Sequence, residues 1–158
     1  MSVQKQNVGN AGEYYVAALL SAMDYTATIT LGRAERYDIL AVSPDGKRYK
    51  FSVKARFKKE ATAFRLSERD EKGHEGDFFY VFVRLNELKE LPDYWVVPSG
   101  RVSKVIADAH KKWLADAHNN TSMRKIPIEV KGSDKKYYAA DWTAEMTKYK
   151  NTFGAVNG

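Results

Sequence analysis

Hydrophobic and polar positions alternate between residues 47 and 56. Tyr49, Phe51, Val53 and Ala55 fall on one side, and Arg48, Lys50, Ser52, Lys54 and Arg56 on the other. A period of two is that of a half-buried strand. Residues 37–43 form a second run rich in β-formers, and Pro44-Asp45-Gly46 between the two supplies turn chemistry. A hairpin is therefore expected. In such a pair, positions equally far from the turn face each other. Asp38 is seven residues before Asp45 and Ser52 seven after it. Asp38 and Ser52 are predicted neighbours, with Lys54 two positions further on the same face as Ser52.

The rest of the pattern alternates between helical and extended periods. Val16, Leu19, Leu20 and Met23 follow helical spacing, which predicts a helix capped at Asn10 and ending near Asp24. Residues 26–31 alternate as a half-buried strand. Residues 57–76 are polar, with a capping-box pattern at Ser67 to Asp70 and a short helix over 67–72 stopped by Gly73. Residues 77–85, DFFYVFVRL, are almost continuously apolar, the mark of a central strand buried on both faces. Another strand is expected at 94–98, then a helix over 100–115 capped by Ser99. Its apolar side carries Val102, Val105, Ile106, Ala109, Trp113 and Leu114. A short strand or edge is expected at 126–130. Asp141 would cap a last helix with Trp142, Met146 and Tyr149 on one face. Residues 151–158 read as a flexible tail without much structure. No repeat or domain boundary is visible, so residues 1–158 read as a single domain.

Composition narrows the classes. A chain of 158 residues with 44% hydrophobic content suits a globular domain. It has no cysteine, which excludes disulfides, thiolate metal sites and a Cys nucleophile. No apolar run is long enough to span a bilayer and the first residues lack a signal peptide's apolar core, so no membrane association and a cytoplasmic location are expected. Net charge is +6, and residues 47–59 hold seven basic residues and no acidic one. Exposed together, these would attract phosphates. A merely solvated strand face and loop is the competing reading.

Few chemistries have a foothold. His74, His110 and His118 form no close ligand pair and read as surface residues. Phosphate-binding glycine loops and a nucleophile elbow are missing. Glu13 stands in the predicted first turn of the first helix, above Leu20. It is either a carboxylate favoured there by the helix dipole or part of a site with Asp38 and Lys54.

The succession Glu13 on a helix, Asp38 before a hairpin, and Ser52-Val53-Lys54 on its second strand resembles the PD-(D/E)XK nuclease superfamily over about residues 9–115. Ser52 stands where that family has a second acidic ligand, and Tyr37 where it often has Pro. The resemblance implies an α/β fold with a central mixed sheet flanked by helices, a restriction-endonuclease-like core of α-β-β-β-α-β order. It implies a nuclease acting on DNA in repair, recombination or restriction. Asp38 would hold Mg²⁺ or Mn²⁺ with the Val53 carbonyl, Ser52 directly or through water, and Glu13. Lys54 would orient the attacking water or stabilise developing charge. Arg33, Arg36, Lys50, Arg56, Lys58 and Lys59 would contact nucleic acid. A homodimer would suit cleavage of both duplex strands. Two alternatives remain because Ser52 is neutral: a nucleic-acid-binding module without catalysis, or a protein-interaction module meeting an acidic partner.

Overall fold

The structure, a computed structural model, describes residues 3–30, 36–116 and 124–157. Its first half runs α1 (Lys5–Ala22), β1 (Thr26–Ile29), β2 (Ile39–Val42), β3 (Arg48–Arg56), β4 (Ala63–Leu66) and α2 (Glu68–Glu71). Its second runs β5 (Phe78–Arg84), β6 (Asp93–Pro98), α3 (Ser99–Ala115), β7 (Arg124–Pro127), α4 (Trp142–Tyr149) and α5 (Gly154–Asn157). Five strands form one mixed sheet in the order β1-β2-β3-β5-β6. β3 and β5 are parallel, and their other neighbours are antiparallel. A parallel pair needs a crossover, and β4 with α2 lies within it. The protein is thus the expected α/β fold, a mixed sheet with helices on both sides. Its α-β-β-β-α-β order carries β4 as an insertion.

β5 explains why both faces need cover. Phe79, Val81 and Val83 join one core cluster, and Phe78, Tyr80 and Phe82 the other. The first face is closed by α1 through Val8, Val16 and Leu20, with Phe153 and Val156 from the chain's end. The second is closed by Val102, Ile106 and Ala109 of α3, by Trp142 and Met146 of α4, and by Phe64, Leu66 and Ile126 of β4 and β7. The continuous apolar run thus has the burial its sequence predicts.

α1 buries Val8, Gly12, Val16 and Leu20, one residue per turn. It lies so close to β3 that a Cβ on Gly12 would stand 2.6 Å from the Ala55 Cβ. The helix begins at Lys5 with Gln4 at its cap, not at Asn10. Glu13 is consequently in mid-helix, beyond the first turn where the dipole acts. The dipole explanation for this carboxylate therefore fails.

Other expectations also change. Residues 57–76 contain a strand, β4, which pairs antiparallel with β7 in a separate two-stranded sheet. Residues 151–157 are not without structure: α5 forms there, and Phe153 and Val156 are buried in the first core. Pro98, not Ser99, occupies the cap position of α3, and Leu114 is exposed. His110 is buried and His74 half-buried, while His118 lies outside the described residues. The capping box on α2 forms as read, with Asp70 as its acid, and Gly73 follows at φ +73°.

Candidate active site

The turn sets the register of the hairpin. Gly46 takes φ +87°, a region glycine enters without steric cost. Its N–H donates to the Ser43 carbonyl, and the Ser43 hydroxyl donates to the Asp45 carboxylate. Ile39 then pairs with Phe51 and Leu40 with Lys50. The ladder ends at Ile39, and just beyond it the Ser52 hydroxyl reaches the Asp38 carboxylate at 3.3 Å, so the two residues are neighbours as the sequence led us to expect. The Asp38 backbone is held from both sides. Its N–H donates to the Phe51 carbonyl at 2.8 Å, and its carbonyl accepts the Thr30 N–H at 2.9 Å.

β3 outruns β2. From Ser52 onward its β2-side edge has no strand partner among the described residues, and the Asp38 side chain fills the gap. Oδ2 accepts the Val53 N–H at 2.6 Å and the Ser52 hydroxyl at 3.3 Å. Both contacts fall on one oxygen; no described residue donates to Oδ1. Backbone alternation turns the N–H and C=O of one residue to the same edge of a strand. The Val53 carbonyl therefore faces the edge that Asp38 occupies.

Lys54 and Glu13 lie on opposite faces of the sheet. Lys54 is half-buried on the Ser52 face of β3, while α1 brings Glu13 to the other side of the sheet. Burial pushes the Glu13 carboxyl above its ordinary value, the Asp38 charge pushes it further, and Lys54 pulls it back. Glu13 is thus within electrostatic reach of both residues.

A second group on the Lys54 side is absent from the sequence reading. Tyr80, opposite Ser52 on β5, is fully buried. Its hydroxyl donates to Asp70 Oδ1 at 2.6 Å and meets His74 Nε2 at 2.9 Å. The other oxygen of Asp70 accepts the Ser67 N–H at 2.6 Å and the Ser67 hydroxyl at 2.8 Å. Burial pushes Asp70 up, but the Tyr80 and Ser67 hydrogen bonds and the Lys54 charge outweigh it and leave the carboxyl below its ordinary value. Burial and the bond to Asp70 push the Tyr80 hydroxyl far up, with Asp70 and Asp38 adding to the effect. The capping-box pattern identified Asp70 as a cap. Nothing local announced its proximity to Lys54, because that depends on the β3–β5 crossover.

The chain is similar in structure to solved proteins. One of them is a bacterial homing endonuclease, 16% identical, with a TM-score of 0.49, matched over 94% of this chain and 95% of its own. At that level the likeness assigns no residue a role. No known family matches the chain, and no curated protein does.

The expected nucleic-acid contacts divide. Arg36 and Lys50 line one open groove. Arg56 is exposed at the far end of β3. Lys58 pairs with the half-buried Glu87 and Lys59 with the exposed Glu90, the second a contact worth little energetically. Arg33 lies outside the described residues. Among those described, no three His, Cys, Asp or Glu side chains stand close enough together to hold a metal ion by themselves. The donors around Asp38 are nevertheless all oxygens, the chemistry Mg²⁺ and Mn²⁺ prefer, and Mg²⁺ commonly takes only one or two carboxylates and keeps several waters. Burial first, and the Asp38 charge second, raise the Glu13 carboxyl, and a cation bound at Asp38 would offset the second of these. The residues present fit such an ion. No described helix is long and apolar enough to cross a membrane.

Proposed function

We propose that this protein is a metal-dependent nuclease hydrolysing phosphodiester bonds of DNA. The observation that carries the reading is the Asp38 carboxylate lodged on Val53 and Ser52, where β3 runs past the end of its pairing with β2, with Lys54 on the same strand. Asp38, the Val53 carbonyl, Ser52 and Glu13 would hold Mg²⁺ or Mn²⁺. A bound ion would polarise the phosphate and lower the pKa of a water to generate the nucleophile. Lys54 orients that water or stabilises charge developing on the phosphate. The Val53 N–H and Ser52 hydroxyl orient the Asp38 carboxylate through Oδ2, and no described residue donates to Oδ1. From the α1 side, Glu13 would supply a second carboxylate where β3 offers only a hydroxyl.

Incubation of supercoiled plasmid with the protein and Mn²⁺ tests this. Nicking is expected in the wild type and is lost, by at least about a hundredfold, in Asp38→Asn and Lys54→Ala variants that melt normally. Absence of metal-dependent nicking in the wild type, or equal nicking by Asp38→Asn, rejects the reading. Ser52 favours a second reading, a nucleic-acid-binding protein without catalysis. Its hydroxyl is buried and donates to Asp38, a neutral group where a second acid would hold a cation more firmly. Under that reading the protein binds DNA and never cuts it.

A further inference from the structure

Beside this site lies an open groove of about 720 Å³, lined by Arg36, Tyr37, Lys50, Lys72 and His74, with Gly100 leaving one wall bare. Its lining is next to the Asp38 group in the chain: Tyr37 precedes Asp38, and Lys50 lies two residues before Ser52 on the same face of β3. From Lys50 to Lys54 is about 13 Å along the strand at the usual rise. The Lys50 ammonium sits 5.2 Å from the centre of the Tyr37 ring. Lys72 meets only Glu68 among the described carboxylates, at 3.5 Å on an exposed surface, a contact it can exchange. The His74 ring stacks on Phe78 with centres 3.8 Å apart and planes at 5°.

We propose that this groove receives an unpaired nucleic-acid strand, its phosphates on Arg36, Lys50 and Lys72 and a base against Tyr37 and His74. Cations interleaved with aromatic rings are what single strands use, since every base offers a stacking face. The size agrees, lying in the range of about 300–1,000 Å³ that accommodates small ligands. That suits a nucleotide or two and is too small to enclose a duplex. The proposal rests on the nuclease reading in one respect: the strand held here would continue to Asp38.

His74 makes the groove proton-linked. Tyr80 has one hydroxyl hydrogen and gives it to Asp70. The contact with His74 must then be Nε2–H donating to the Tyr80 oxygen, which leaves Nδ1 to take up a proton. Burial lowers His74 below its ordinary value; Asp70 raises it, and Arg36, Lys54 and Lys50 lower it. Lys72 and Glu75 also line the groove. A phosphate entering among these cations favours the charged imidazole. Binding therefore takes up a proton and tightens as pH falls through the histidine range.

Fluorescence anisotropy of a labelled oligothymidylate, in EDTA so that cleavage plays no part, tests this. Wild type should bind the single strand at least about tenfold more tightly than a duplex of equal length, and more tightly at about pH 6 than at about pH 8. Lys50→Ala with Lys72→Ala, both exposed positions, should weaken binding about tenfold and reduce the salt slope by about 1.4, 0.7 for each phosphate contact. His74→Gln keeps a donor for Tyr80 and should flatten the pH dependence. Duplex binding as tight as single-strand binding, an unchanged salt slope in the double variant, or displacement by poly-glutamate at equal charge overturns the proposal. The last outcome would make the groove a surface for acidic proteins. Cleavage with Mn²⁺ is scored separately, so a protein that binds but never cuts defeats the nuclease reading alone.

Discussion

β3 and β5 are adjacent, parallel strands at the centre of one sheet, paired residue by residue, yet they are built differently. β5 is apolar on both faces. β3 is apolar only towards α1, through Tyr49, Phe51 and Val53. On its other face Lys50, Ser52 and Lys54 pair with Phe78, Tyr80 and Phe82. A strand in this position is most stable when both faces are apolar, because polar groups cost free energy to desolvate. β5 shows that the sheet accommodates such a strand. The polar face of β3 therefore reflects something other than stability, and Asp38, Tyr80 and Asp70 gather on or beside it.

Substitutions across that pair sharpen the contrast. Phe82→Ala should cost about 3–5 kcal/mol, the usual range for a buried aromatic, read from urea denaturation. Lys54→Met, on the paired residue, should leave the midpoint unchanged or raise it while ending nicking. A large loss of stability in Lys54→Met would make the lysine structural and dissolve the contrast between the strands.

The next largest effect belongs to the contact that brings α1 onto β3. Gly12→Val places methyl groups where Ala55 already stands and should cost about 1–3 kcal/mol. Thermal melts give the loss. It should be accompanied by reduced metal affinity, because Glu13 moves with the helix. A Gly12→Val protein as stable as wild type would show that α1 does not need this approach.

Asp70→Asn should cost about 1–3 kcal/mol at neutral pH, since it disturbs bonds to Tyr80 and Ser67. Asp70 titrates below its ordinary value. Its stabilisation is thus complete above the unfolded-state pKa and lost as pH falls through the lower folded-state value. Wild type and variant should converge in acid. A constant difference down to low pH would mean that the charge is not what stabilises the region.

Glu13→Gln carries the smallest effect and the opposite sign. A carboxyl raised in the folded state destabilises the fold when ionised, so the variant should melt slightly higher at neutral pH. The difference should vanish as pH falls below the unfolded-state pKa, where both states are protonated. With Mn²⁺ present the order should reverse if Glu13 helps to hold the ion. A variant less stable than wild type at neutral pH without metal would remove the electrostatic tension inferred between Glu13 and Asp38.

How far the sequence revealed this depended on the range of the interactions. The hairpin register was legible because the Pro44-Asp45-Gly46 turn and the alternation of β3 are local. β5 was legible from nine consecutive residues, and the α2 capping box from four. The β4–β7 sheet was not. Both strands have four residues, carry Arg or Lys, and meet across some 60 residues of chain. The start of α1 was hidden because residues 4–10 offer only Val8 to the core. α5 was missed because Phe153, Ala155 and Val156 in a polar tail form no pattern until β3 and β6 supply a surface. Within the site, Asp38 against Ser52 follows from the turn, whereas Asp70, Tyr80 and His74 reach it only through the crossover between β3 and β5.

The central claim, that the edge of β3 beside Asp38 holds a divalent cation, is tested most directly by crystals grown with Mn²⁺ and measured for its anomalous signal. The account predicts a peak about 2.0–2.2 Å from an Asp38 carboxylate oxygen, with the Val53 carbonyl also in contact, and no such peak in Asp38→Asn. A map with no peak at Asp38 despite saturating Mn²⁺, or the same peak retained in Asp38→Asn, would contradict it.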